Sequence, residues 1–259
     1  MGTLHRIVQI SDLHLLKLRY EVHKGIPPAE TLRSILREVG RLDPLPDAII
    51  LSGDISDAGY VDSYYLIDRI LMPLEIPYYW IPGNHDDVTV MSQMEKQLSV
   101  EKDKFFRLGG RNVVLLNSVI PDEVAGSLSK NALSTLNHQL TEYSDAPSLI
   151  FLHHHPVMVV EKLEPYKLLN AQELFDILDE HPQVEAVFFG HVHVVLETLH
   201  AGVKYMSCPP SIFNFTEINR ITRYSLPGFR LIEWETGGDL QSSVHLLPEE
   251  EVNLLIKKY

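Results

Sequence analysis

Cysteine is almost missing from this chain. Cys208 stands alone, so no internal disulfide can form and a reducing compartment suits the protein. Positive charge is short as well: 22 Lys and Arg against 35 Asp and Glu leave a formal net charge of −13. No basic stripe offers the counterion release that binding to a nucleic-acid polymer rests on, so no such partner is expected. Acidity does not exclude a small anionic substrate, because bound cations can invert a local field. Long apolar runs are lacking too. None reaches the roughly 20 residues of a membrane-spanning helix, and the run in LHRIVQI is too short for a secretory signal core. The expectation is a cytoplasmic protein without a membrane partner. Neither internal repeats nor Gly/Ser/Pro linkers are present, so residues 1–259 are expected to form one domain, with the β-rich segment 194–248 included. A hydrophobic content of 45% over 259 residues is enough for a well-buried core.

What the chain does have is a recurring rhythm of short apolar run, abrupt polar cluster and amphipathic helix. LHRIVQI leads to SDLH, and PAETLRSILREVGRL reads as a helix with Pro27 and Pro28 at its start. DAIILS leads to GDISD and the helical YVDSYYLIDRILM, and PYYWIP leads to GNHDD and the helical VTVMSQMEKQL. A hairpin is predicted in FFRLGGRNVVLLNSV, turning at Gly109-Gly110. Ser129 reads as the N-cap of KNALSTLNHQLTEY. SLIFL then leads to HHHP, AQELFDILDEH is helical, and VEAVFF leads to GHVH. Beyond this point VLETL, VKYMS, FRLIEW and SSVHLL read as meander strands, with a turn at Gly237-Gly238 and a terminal helix in EEEVNLLIKKY. Strands buried on both faces and alternating with helices imply an α/β fold with a parallel or mixed sheet covered by helices. In such folds ligands gather at the carboxyl ends of the strands, where these polar clusters fall.

Singly the clusters are weak signals: Asp12 reads equally as a turn or capping residue, and Asn84 as a turn former. Jointly they supply Asp, Asn and His without a nearby thiol, a donor set that suits manganese, iron or zinc. Two donors spaced by one residue, as in Asp12/His14 and His191/His193, can point into one site. The supply exceeds the needs of one zinc ion and suits two ions sharing a carboxylate. The triplet His153-His154-His155 is ambiguous. Alternation along a strand end allows either His153 with His155, or His154 alone, to face the site. His5, His138, His181, His200 and His245 lie outside the motifs and read as surface or satisfied residues. His23, in the loop 17–28, is a candidate substrate contact, as are Tyr20 and Asn214. Cys208 reads as a small buried residue.

In this order, D-x-H, GD, GNH(D), H-x-P and GHxH resemble the calcineurin-like metallophosphoesterase family, over residues 12–193. CPPSI at 208–212 and PGFRLIEW at 227–234 resemble the class III bacterial cyclic-nucleotide phosphodiesterases. The resemblance implies a four-layer αββα sandwich, two mixed β-sheets flanked by helices, with a dinuclear metal site at the strand ends. Asp12, His14, Asp54 and His193 would hold one ion. Asp54 would bridge to a second held by Asn84, His154 and His191, the H-x-P spacing selecting His154. Fe/Mn or Mn/Mn pairs are expected, with zinc compatible. His85 would protonate the leaving oxygen, Asp86 would orient His85, and Asn84, His85 and His23 would meet substrate. The implied reaction is hydrolysis of a small phosphodiester by a metal-bridging hydroxide. A cyclic nucleotide, 3′,5′-cAMP foremost, is the expected substrate. Broader phosphodiesters such as glycerophosphodiesters, or phosphomonoesters, are the alternative, and a non-catalytic scaffold is a distant third. Homo-oligomers are compatible with the sequence. One departure stands out: YEVHKGIPPAETL has two prolines where cyclic-nucleotide relatives carry a polar Gly-Val-Asp/Asn-Thr-like stretch.

Overall fold

The structure is a computed structural model that describes residues 2–23, 25–212, 214–218 and 221–258, with side chains left out over 213–225. The strands are β1 (Leu4–Ile10), β2 (Ala48–Ser52), β3 (Tyr78–Ile81), β4 (Phe105–Leu108), β5 (Arg111–Leu115), β6 (Ser148–Phe151), β7 (Val184–Phe189), β8 (Glu197–His200), β9 (Val203–Ser207), β10 (Asn214–Ile218), β11 (Ile221–Ser225), β12 (Gly228–Glu235) and β13 (Gln241–Leu246). The helices are α1 (Pro28–Val39), α2 (Val61–Leu71), α3 (Val88–Met94), α4 (Lys130–Glu142), α5 (Ala171–Glu180) and α6 (Glu249–Lys258). One sheet runs β13-β12-β1-β2-β3 and the other β4-β5-β6-β7-β9-β8. Both are mixed. β1, β2 and β3 are parallel to one another, while β12 joins β1 antiparallel. β5, β6, β7 and β9 are likewise parallel, with β4 and β8 as antiparallel edges.

Side-chain alternation explains why the sheets lie face to face. In β1, Val8 and Ile10 meet α1, α2, α3 and α6, while Ile7 turns to the other sheet. In β7, Val187 and Phe189 pack under α4 and α5, while Ala186 and Phe188 turn inward. Phe188 stacks on Phe151 in the inter-sheet layer, with ring centroids 4.9 Å apart. Each large apolar side chain buried this way contributes about 1.5–3 kcal/mol over an exposed one. Helix on sheet, sheet on sheet, sheet on helix is the four-layer arrangement expected.

Local signals explain the helix starts. Pro28 occupies the first turn of α1, where a missing N–H costs nothing. Ser129 caps α4, its hydroxyl accepting from the Ala132 N–H. Helix α3 is shorter than the pattern predicts. The Asp87 carboxylate caps it by accepting from Thr89 and Val90, and the chain after Met94 continues in tight turns. The C-terminal strands do not form the meander expected. β8 and β9 extend the second sheet beside β7, whereas β12 and β13 extend the first beside β1. The hairpin β10–β11 had no counterpart in the expectations.

Candidate metal centre

The carboxyl ends of β1, β2, β3, β6 and β7 bring the polar clusters to one edge where the sheets meet. Backbone bonds lace the first two together: Leu13 and His14 N–H both donate to the Asp54 carbonyl at 2.8 Å, and Asp57 N–H donates to Leu15. The price is strain. Of the eight non-glycine residues with positive φ among the described residues, five are Asp12, His14, Asp54, His191 and His193. Such conformations cost on the order of 1–3 kcal/mol each and gather at functional sites. Glycine provides room where even strain would fail. A Cβ on Gly53, itself at φ 100°, would lie 2.3 Å from His153 Nδ1, and one on Gly83 would lie 2.2 Å from Asp54 Oδ1.

Donor atoms of Asp12, His14, Asp54 and His193 all lie within 4.8 Å of one another. His193 Nε2 is 3.2 Å from Asp12 Oδ1, and His14 Nε2 is 3.6 Å from Asp54 Oδ2. A second such group is Asp54, His153 and His191. Asp54 belongs to both. His153 donates from Nδ1 to the Ser52 carbonyl at 2.8 Å. Its Nε2 nonetheless reaches 3.4 Å from Asp54 Oδ1. His154 is in none of the tight groups among the described residues. Its Nδ1 bonds the Ser118 hydroxyl at 2.8 Å, and its ring centroid is 4.8 Å from that of His191. His155 stacks on His191 at 5.7 Å.

Beside these groups His85 stands at the rim, half exposed, its Nδ1 donating to the Asp57 carbonyl at 2.9 Å. Asp86 does not orient it, and that expectation is corrected. Its buried carboxylate accepts from the backbone N–H groups of Ile55, Ser56 and Gly83 and from the Tyr64 hydroxyl. The side chain next to His85 thus turns inward and ties the second and third motifs together. Sequence reasoning also passed over Asp57, which groups with His14 and His85. The available signal was a second carboxylate three residues after Asp54. His23 comes within 3.4 Å of Asp57 Oδ1. Tyr20 is exposed, and the Asn214 side chain lies outside the described residues. His181 is satisfied by Asn137 at 2.7 Å, and His138 is exposed, as expected.

Electrostatics divide the donors. Burial opposes charge on Asp54, but the His153, His14 and His85 imidazoles outweigh it and hold the carboxyl well below its usual range. Burial likewise opposes charge on Asp12, and His193 and His153 override it downward. Burial, with repulsion from Asp54, raises Asp86 to about 6. Burial, reinforced by neighbouring imidazoles, drives His154 down to about 2 and His191 to about 3. Those two rings are held neutral, the state in which imidazole donates a lone pair.

Buried polar atoms normally have partners. Here His14 Nε2, Asn84 Oδ1, His153 Nε2 and His154 Nε2 are buried without a hydrogen-bond partner. All four can offer lone pairs, and they adjoin two ionised carboxylates, so the donor set fits hard or borderline cations. Above them is a cavity of about 450 Å³, in the size range of small-ligand sites. It is lined by the polar side chains of His14, His23, Asp54, Asn84, His85, His191 and His193 and by Val124, Leu163, Tyr166 and Ile212.

A two-sheet α/β sandwich with carboxylates and imidazoles converging at its strand ends defines the class of a metal-dependent phosphoesterase. Residues 5–195 match the calcineurin-like phosphoesterase family, and the chain belongs to it. It is 34% identical to the 3′,5′-cyclic-nucleotide phosphodiesterase alr5338 of Nostoc sp., over 93% of this chain and 92% of that one. It is 30% identical to the 3′,5′-cyclic adenosine monophosphate phosphodiesterase CpdA of Pseudomonas aeruginosa, over 92% and 88%. It is also 31% identical to a probable glycerophosphodiester phosphodiesterase GpdQ of Arcobacter nitrofigilis, over 74% and 73%. Among solved structures, a dimetal phosphatase from Danio rerio superposes with a TM-score of 0.65 at 14% identity, covering 94% of this chain and 99% of that one. That likeness concerns the fold. No helix among the described residues is long and apolar enough to cross a membrane.

Proposed function

We propose that the chain, as one domain, hydrolyses a cyclic nucleotide, 3′,5′-cAMP foremost, to the nucleoside monophosphate. The observation that carries this reading is the paired donor set sharing Asp54 beside a cavity lined by both polar and apolar residues. The similarity to cyclic-nucleotide phosphodiesterases over nine-tenths of the chain supports the choice of substrate. Asp12, His14, Asp54 and His193 would hold one ion, and Asp54, Asn84, His154 and His191 the other, with Fe/Mn or Mn/Mn the favoured pairs. Two bound cations supply charge neutralisation at the phosphoryl oxygens and a water acidic enough to serve as nucleophile near neutral pH.

The chain's own residues do the rest. Asn84 and His85 face the same cavity as the two carboxylate motifs and bind the phosphoryl group. Water adds to phosphorus and gives up a proton to solvent, one ring P–O bond opens, and the departing alkoxide takes a proton. His85 delivers it from Nε2, because its Nδ1–H is committed to the Asp57 carbonyl. Val124, Leu163 and Tyr166, which line the same cavity, give the nucleobase an apolar surface.

Two second readings rest on specific observations. His153 Nε2 lies near Asp54 and His191, which favours His153 in place of His154 at the second ion. The similarity to a probable glycerophosphodiesterase favours a wider substrate range. A metal-defined panel of cyclic nucleotides, acyclic diesters and monoesters, with His85→Ala and Asp54→Ala as controls, tests the substrate. Cyclic nucleotides are expected to turn over fastest. Efficient cleavage of glycerophosphodiesters with no cyclic-nucleotide turnover would overturn the reading.

A further inference from the structure

Among the described residues that line the cavity, Tyr166 carries the one aromatic ring that is not an imidazole. It ends the short helical segment Glu161–Tyr166, whose 3₁₀ winding repeats every three residues. Leu163 and Tyr166 therefore share one face of the segment, and both line the cavity. Pro165 fixes the backbone just before the ring. Tyr166 is 42% exposed, and Val124, which lines the same cavity, is 47% exposed. Apolar side chains left open beside a charged centre mark a surface kept for a ligand rather than for the core.

Immediately after the ring the chain is clamped. Leu168 N–H donates to the His155 carbonyl at 3.0 Å, Gly126 N–H to the Lys167 carbonyl at 3.1 Å, and Leu169 N–H to the Gly126 carbonyl at 2.7 Å. The Asn170 amide both accepts from the Leu128 N–H and donates to the Leu128 carbonyl, each at 2.9 Å. Gly126 in turn lies against His154, where a Cβ would come within 2.3 Å of the ring. Val124 and Tyr166 thus hang from one backbone junction whose other side touches the metal centre, and packing fixes their distance from the donors. The imidazoles of the same wall cannot replace Tyr166. His14, His191 and His193 are assigned to the ions, His85 serves the leaving oxygen, and His23 is held 3.4 Å from Asp57. We infer that Tyr166 is the specificity-determining residue of the site. Its ring stacks on the face of the nucleobase, and a purine is favoured over a pyrimidine because the larger ring system covers more of it. This inference rests on the proposed nucleotide substrate, and adds which part of the wall chooses among the bases.

Calorimetric titration of the Mn²⁺-loaded protein with AMP, CMP and ribose 5-phosphate separates the base from the phosphoryl group without relying on turnover. Wild type is expected to hold AMP tightest, CMP next and ribose 5-phosphate weakest. Tyr166→Ala should weaken AMP by about 5–150-fold, the usual range for a lost base–aromatic stack. Ribose 5-phosphate should bind that variant as it binds wild type, and Tyr166→Phe, which keeps the ring, should retain most of the AMP affinity. If Tyr166→Ala does not fold, Tyr166→Leu takes its place, removing the ring but keeping an apolar side chain. A merely structural role for Tyr166 would weaken AMP and ribose 5-phosphate alike, and that result overturns the inference. So does a wild type that holds AMP no tighter than ribose 5-phosphate, or a folded Tyr166→Ala that binds AMP as wild type does. Absence of cyclic-nucleotide turnover in a wild type that shows the expected order, lost in Tyr166→Ala, strikes the substrate reading and upholds this one.

Discussion

The two sheets bring different chemistry to the edge where they meet. The first contributes Asp12, Asp54 and Asp57, carboxylates held ionised by surrounding imidazoles. The second contributes His154 and His191, rings held neutral by burial. The first wall supplies carboxylate charge and the second these neutral lone pairs, with His153 its charged exception in the metal-free protein. Neither is a complete binding site alone, since each tight donor group that contains Asp54 also contains a histidine from the second sheet. The buried apolar layer between the sheets sets the distance between the walls. Asp54, in contact with both, is where the comparison is most easily broken.

Asp54→Asn is accordingly expected to have the largest effect. It removes the carboxylate shared by both groups, and phosphodiester turnover should fall by about 10³-fold or more, as several kcal/mol of transition-state stabilisation are lost. Steady-state kinetics with saturating metal checks this. Next is the triplet on the imidazole wall. His154→Gln should lower bound metal from two ions to one per chain by elemental analysis, whereas His153→Gln should keep two ions of weaker affinity. The opposite pattern would assign the second ion to His153.

His85→Ala touches neither donor group. Metal content should stay at the wild-type value while kcat drops by about 10²–10⁴-fold, the range of a lost general acid. The loss should shrink for substrates with better leaving groups, which need no proton.

The smallest effect is on stability. In the metal-free protein burial opposes charge on His153, but the Asp54 and Asp12 carboxylates outweigh it and raise the ring to about 9. A raised imidazole contributes stability that is complete below its unfolded value near 6.5 and is lost as pH rises through about 9. The lowered carboxylates of Asp12 and Asp54 act in the other direction: their contribution is present above about 3.8 and lost as pH falls. Thermal melts of the metal-free protein should therefore peak between these limits and decline toward pH 9. Added metal should flatten the decline, because cations replace the imidazolium beside Asp54.

Much of this arrangement was legible in the sequence, for reasons that particular residues make plain. The parallel strands announce themselves because β2, β6 and β7 are buried on both faces and read as short apolar runs, interrupted in β7 only by Glu185. The motif residues are visible because strand ends are where side chains leave the core. What the sequence withheld was partnership. Alternation in β8, β9, β12 and β13 gives strands but not the sheet each one joins, so a meander was expected where the chain divides itself between two sheets. The same gap hid Asp57 and misplaced Asp86. Adjacency made Asp86 the natural partner of His85, but consecutive side chains point apart, and the carboxylate near His85 comes from another strand end. The histidine triplet sits at this limit too, with two buried Nε2 atoms beside one carboxylate.

The central claim is that the two walls together hold two ions that the chemistry requires. The most direct test is elemental analysis of the purified wild-type protein alongside its phosphodiesterase activity, before and after exhaustive chelation. Two ions per chain, activity lost with their removal and restored with Mn²⁺, is the predicted result. Full phosphodiesterase activity in folded protein stripped of metal would contradict it.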